Sequence, residues 1–165
     1  RSDPAGGLLH ALRLFLTLSS SNDWLDVVWG RRTAPASPHP WMGPEGRYAF
    51  QAEVEAEAER LAAILDPEHF AATARMALLH NIAHGNRDLH VAVQKIAAEL
   101  LLIPVSSDIL FPPSGSHEFA DLVRAYGGRA EVRVLDSLAG HRAALLEAHR
   151  LAEPIAAFLG HPVRH

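Results

Sequence analysis

The sequence contains no cysteine, which excludes a disulfide scaffold, cysteine-ligated zinc and a thiol nucleophile, and leaves the redox compartment undetermined. It has one lysine, Lys95, beside fourteen scattered arginines, a skew read as codon bias. It lacks a cationic excess: 15 Lys+Arg stand against 19 Asp+Glu, a formal net charge of −4. No basic stripe is available for phosphate, so no nucleic-acid partner is expected. No apolar run approaches the roughly 20 residues a membrane helix needs, so no membrane partner is expected either. The chain opens Arg1-Ser2-Asp3-Pro4, without an initiator Met or a charged and apolar signal segment, and reads as a chain entered partway.

What is present is a globular composition. Apolar residues make up 48% of 165 residues, enough to fill a core and too many for a disordered tail. At face value the length is one domain's worth.

The first half is helical. Leu8, Leu9, Leu12, Phe15 and Leu16 recur at helical spacing between Gly7 and Leu18, and Ser21-Asn22-Asp23 offers caps for a second helix through Trp24, Leu25, Val28 and Trp29, stopped by Gly30. Pro35, Pro38, Pro40 and Pro44 make Thr33 to Gly46 a loop. From Phe50 to Leu65, Val54, Ala58, Leu61, Ala62 and Leu65 form one stripe, with Glu53, Glu55, Glu57 and Glu59 mostly off it as a solvated face. Asp66-Pro67 caps and opens a further helix towards His84-Gly85.

The pattern changes after Asn86. Leu100 to Val105 is a continuous apolar run, the signature of a strand buried on both faces, with Pro104 suited to its end or edge. A helix over Pro112 to Ala125, closed by Gly127-Gly128, a second strand over Ala130 to Leu135, and a last helix over Arg142 to Leu159, bent at Pro154, complete the expectation. Strand, helix, strand, helix at these lengths is the repeating unit of a parallel α/β sheet.

Each strand leads into a loop with a chemically notable residue. Ser106-Ser107-Asp108-Ile109-Leu110-Phe111-Pro112-Pro113 follows the first, placing a carboxylate at the sheet edge where open α/β sheets bind ligands. Asp136-Ser137-Leu138-Ala139-Gly140-His141 follows the second, with the histidine at the mouth of the last helix. Taken singly, the Asp reads as a cap or turn residue and the His as solvated. Together, on adjacent strand ends and in this chain order, they are two-thirds of an acyl-transfer triad of order Ser, Asp, His.

These two segments, with Leu145-Leu146-Glu147, resemble the C-terminal end of the homoserine O-acetyltransferase family of α/β-hydrolase-fold acyltransferases. Gly7 to Arg32, Phe50-Gln51-Ala52-Glu53 and Asp66 through Met76 are similar to that family's helical lid, in the same order. The resemblance implies an α/β fold: the C-terminal portion of an α/β-hydrolase, with its last two parallel strand–helix units, preceded by the lid. It divides the chain into a lid region, 1–86, and part of the hydrolase core, 87–165. It assigns Asp108 as the triad aspartate and His141 as the triad histidine, leaves the substrate-binding residues unidentified, and implies no metal and no bound cofactor. Acetyl-CoA is the implied acyl donor, small molecules the substrates, and a cytoplasmic enzyme of methionine biosynthesis the implied setting.

The family's nucleophile sits on a Gly-x-Ser-x-Gly elbow upstream of the lid, and no such elbow occurs here. Ser106, Ser107, Ser114, Ser116 and Ser137 lie in the wrong loops. Three departures bear on substrate. Gly140-His141-Arg142-Ala143-Ala144-Leu145 stands where the family usually has Gly-His-Asp-Ala-Phe-Leu, Thr17-Leu18-Ser19-Ser20 replaces Thr-Tyr-Arg-Ser, and Ala77 replaces an aspartate. They leave homoserine specificity open.

Other groupings have plainer readings. His80 and His84, four apart on an expected helix, have a metal-chelating spacing, but without a Glu after the first or a third ligand they read as lid surface or helix end. Arg31-Arg32 could meet a coenzyme A phosphate, yet a helix C-terminus favours cations anyway. Trp24, Trp29 and Trp41 read as lid packing or dimer contacts.

The expected function is transfer of an acyl group from acyl-CoA to an acceptor hydroxyl through a serine ester, with a nucleophile outside this chain. The alternatives are an α/β-hydrolase esterase or thioesterase, and a non-catalytic fragment or interaction module. Two parallel strands are too few for a stable sheet, so missing strands are expected from an N-terminal half or another chain. The expected assembly is a homodimer through the lid helices.

Overall fold

Asp3 opens the first helix: its carboxylate accepts the Gly6 N–H at 3.0 Å, and Pro4 follows in the first turn, where a missing N–H costs nothing. The computed structural model describes residues 3–160 and divides the chain into two compact units, one ending at His80 and the other beginning at Asn81. That division falls six residues before the expected boundary at 86/87.

The first unit is all helical: α1 (Pro4–Leu18), α2 (Asn22–Val28), α3 (Ala49–Ala62) and α4 (Pro67–Leu79). Ser21 caps α2 by accepting the Trp24 N–H at 3.0 Å, and Asp66 caps α4 by accepting that of His69 at 2.7 Å. Leu8, Leu12 and Leu16 of α1 are buried with Ala58 of α3, where alanine lets the helices approach. Leu61 and Phe70 close over this cluster. Thr33 and Tyr48 form an antiparallel bridge across the proline-rich loop, which includes a 3₁₀ turn at Pro40–Met42.

Two expectations change here. Glu55 is no solvated side chain: it is half-buried and takes both Arg13 and Arg47, the latter at 2.8 Å. Helix α4 stops at Leu79 with His80 as its C-cap, so His80 and His84 do not share a helical face. Arg32 reaches back to the Val28 and Trp29 carbonyls at the end of α2, the helix-terminus role open to it in the sequence.

The second unit holds α5 (Leu89–Val93), β1 (Leu100–Leu102), α6 (Pro113–Ala125), β2 (Ala130–Val132), α7 (Ala143–Leu146) and α8 (Ala152–Phe158). Strands β1 and β2 are parallel, with Leu100, Leu101 and Leu102 opposite Ala130, Glu131 and Val132. Helix α6 connects them and packs its buried Ala120 and Val123 on the sheet side, and Gly127, at φ +80°, turns the chain back towards β2.

Both strands are shorter than expected. Past Leu102 the ladder thins, although the Leu135 N–H still donates to the Pro104 carbonyl at 2.8 Å and Val105 bridges Leu135. The strands are half-buried along their length, not buried on both faces, because among the described residues each has one neighbouring strand. The last helix also differs. It breaks at Glu147, at φ −123° and ψ 30°, between α7 and a 3₁₀ turn at Ala148–Leu151. Pro154 does not cause the break, for it lies in the first turn of α8.

Candidate active site

Asp108 lies just past the Val105–Leu135 bridge, in a turn of its own making. Its Oδ1 accepts the backbone N–H groups of Leu110 at 2.8 Å and Phe111 at 3.0 Å, a short-range pattern typical of aspartate in turns. That leaves Oδ2 aimed at the second loop, where His141 Nδ1 lies 2.8 Å away. The carboxylate is 7% exposed and the imidazole 33% exposed. A carboxylate can only accept, so Nδ1 carries the proton and the lone pair sits on Nε2.

The histidine loop is positioned by serines. Ser107 Oγ donates to the Ser137 carbonyl at 2.6 Å and accepts the Gly140 N–H at 3.1 Å. Ser106 Oγ accepts the Ser137 N–H at 3.1 Å, with Asp136 Oδ1 and the Ser137 carbonyl each at 3.2 Å. Gly140, at φ +63° and buried, takes the left-handed turn that delivers His141. The Phe111 ring lies 5.3 Å from the imidazole, tilted by 36°.

Asp108, Phe111, Ser116 and His141 line an open cavity of about 320 Å³, floored by Leu102 and Val105. A second hollow of about 240 Å³ adjoins it, sharing Leu102, Phe111 and Ser116 and reaching Phe119.

The structure therefore brings together both residues expected to act, at the ends of adjacent parallel strands. Ser106, Ser107 and Ser137 are engaged in tying the loops together. This tying role, which their place in the sequence does not assign, is signalled there only by the clustering of short hydroxyl side chains beside turn residues. Glu147 and Arg150 were missed as well. Glu147 Oε1 accepts the Ser137 hydroxyl at 2.8 Å, Oε2 pairs with Arg150, and Arg150 donates to the Asp136 carbonyl at 2.7 Å. The Ser137 hydroxyl, and then Arg150, hold the Glu147 carboxyl below the usual carboxylate range. Among the described residues no group of three or more His, Asp and Glu is placed to hold a metal ion, and no helix is long and apolar enough to cross a membrane.

The chain is 30% identical over 156 residues to homoserine O-acetyltransferase of Symbiobacterium thermophilum, a match covering 94% of this chain and 41% of that enzyme. Its structure superposes on the crystal structure of homoserine O-acetyltransferase from Bacillus anthracis with a TM-score of 0.84 and 26% identity, over 99% of this chain and 43% of that one. The chain belongs to the homoserine O-acetyltransferase family. Its strand–helix units are part of an α/β-hydrolase fold. Serine O-succinyltransferase of Litchfieldella anticariensis, a relative with a different acyl group and acceptor in its name, is 30% identical over 165 residues, covering 96% of this chain and 44% of its own length. The chain thus spans less than half the length of the family members it matches. No family model matches it.

Proposed function

We propose that this homoserine O-acetyltransferase family chain is the lid and C-terminal core of a serine-dependent O-acyltransferase, with an acyl-CoA thioester as donor and a small-molecule hydroxyl as acceptor. The observation that carries the reading is the 2.8 Å contact between Asp108 Oδ2 and His141 Nδ1. It leaves Nε2 as the base.

In this reading Nε2 takes the proton of a serine hydroxyl as its oxygen attacks the thioester carbonyl. The imidazolium then protonates the departing coenzyme A thiolate, leaving an acyl-serine ester. The acceptor hydroxyl gives its proton to Nε2 and attacks that ester, and the serine leaves as its oxygen regains the proton. Asp108 supports the imidazolium throughout without itself taking the proton. The serine comes from outside these 165 residues, which contain no Gly-x-Ser-x-Gly elbow.

Strands from outside the chain would complete the sheet. The outer edges of β1 and β2, unpartnered among the described residues, and the exposed Ile109, Phe111 and Leu145 of the same unit support this. A homodimer through the lid helices would cover the exposed Leu14 and Leu18 of α1 and Met76 and Leu79 of α4.

The test is mass spectrometry of the protein carrying this chain together with its elbow segment, quenched after mixing with acyl-CoA. The expected result is one acylated serine, discharged to added acceptor alcohols. If no serine is acylated the proposal fails. If acceptor alcohols never divert the acyl group from water, the transferase reading gives way to a hydrolase.

A further inference from the structure

The loop that carries His141 is held at both ends. On the β1 side Ser107 takes the Gly140 N–H and donates to the Ser137 carbonyl. On the other side all the ties converge on Glu147. Ser137 Oγ accepts the Ala139 N–H at 3.0 Å and donates its own O–H to Glu147 Oε1, while Arg150 links Glu147 Oε2 to the Asp136 carbonyl at 2.7 Å. A single carboxylate thus closes two rings of hydrogen bonds over residues 136 to 139. Its side chain is 22% exposed and its bonds are charge-assisted, so they are stronger than the neutral bonds of an ordinary loop. The last helix breaks at Glu147, the residue that makes these contacts.

We propose that Glu147 is a positioning residue for His141, acting through the Ser137 hydroxyl and Arg150 to fix the imidazole on Asp108. This rests on the reading of His141 as the base, but it concerns where the ring is held and not what it does. The sensitivity is geometric. His141 follows Gly140 directly, and the Nδ1 bond at 2.8 Å is lost once a loop shift opens it well past about 3.2 Å or bends it below about 120°. Misplacement of a catalytic group by about 1 Å costs on the order of 100-fold in rate.

The test is proton NMR of the protein carrying this chain together with its elbow segment, following the downfield imidazole N–H of His141, identified by its loss in Asp108→Asn. In Ser137→Ala and Glu147→Ala we expect this proton to exchange with water at least about tenfold faster than in the parent, the size of one lost charge-assisted bond. Glu147→Gln keeps an acceptor for Ser137, and should restore part of the protection. Far-UV circular dichroism establishes that each variant is folded. Should Glu147→Ala not fold, Ser137→Ala, which removes one hydroxyl, decides alone. Unchanged exchange in folded Ser137→Ala overturns the proposal while leaving the Asp108–His141 pair intact. A parent protein with no Asp108-dependent imidazole proton would overturn the pair itself, and the positioning role with it.

Discussion

Asp108 holds His141 with one oxygen while its other oxygen is committed to the backbone of its own turn: Oδ2 lies 2.8 Å from Nδ1, and Oδ1 accepts from Leu110 and Phe111. The carboxylate cannot rotate without giving up two N–H bonds, so the direction in which Oδ2 points is set by the β1 loop. Where the imidazole meets it is set by the second loop, through Ser107 and the ties to Glu147.

Asp108→Asn should keep that turn and lose the acceptor. An amide can still receive the Leu110 and Phe111 N–H groups, but it presents N–H to Nδ1 and favours the wrong tautomer. In the complete enzyme kcat should fall by roughly 10⁴-fold with KM little changed, the pattern of an interaction needed in the transition state. Steady-state kinetics check this, and a loss of less than tenfold would remove Asp108 from the machinery.

Much of this site was legible in the sequence. A strand-like run ending in Asp108 and another ending before His141 place the two residues at one sheet edge, because parallel strands joined by a helix must end on the same side. What escaped depends on partners distant along the chain. The Ser137–Glu147 bond forms where the last helix breaks, and Pro154, the obvious breaker, is harmless in a first turn. Strand length escaped too, since an apolar run shows what could pair and pairing needs a neighbour. The metal-like spacing of His80 and His84 assumed a helix that ends at Leu79.

Gly140→Ala tests the turn that delivers His141. At φ +63° an L side chain costs on the order of 1–2 kcal/mol, and this position is buried. Thermal melting should show a loss of about that size. The imidazole bond to Asp108 should loosen in the same variant, and an unchanged Tm would show that the turn tolerates a side chain.

Acid should weaken the second unit through Glu147. Its carboxyl titrates below the usual range when folded, chiefly through the Ser137 hydroxyl and then Arg150, and returns to the ordinary value when unfolded. Above the ordinary carboxylate range of about 4.3 both states are ionised and the stabilisation is fully present. As pH falls through that range the unfolded state takes up the proton first, and the gain is gone once pH passes the depressed folded value. The slope of Tm against pH below about 5 should therefore be steeper in the parent than in Glu147→Gln. Equal slopes would show that the pairing adds no stability.

In the first unit Leu12 is 2% exposed and sits between Leu8 and Leu16 against Ala58, so truncation leaves a cavity at the centre of that core. Leu12→Ala should cost about 2–5 kcal/mol. Denaturant unfolding followed at the helical signal measures it directly, and a loss below about 1 kcal/mol would mean that α1 is not the centre of that core.

The sheet supplies the sharpest test of incompleteness. Among the described residues Leu100, Leu101 and Leu102 pair with Ala130, Glu131 and Val132 on one side only, and two strands seldom suffice for a sheet that stands alone in water. Exposed Ile109, Phe111 and Leu145 in the same unit are apolar surface that a completed core would cover. Hydrogen exchange of the isolated chain should accordingly show weak protection of the strand amides, while the Leu12 and Leu16 amides of α1 exchange more slowly. Sedimentation of the same sample should show association through the uncovered surfaces. A stable monomer with strand amides as protected as those of α1 would show that this chain needs no further strands, and the proposal that they come from elsewhere would have to be dropped.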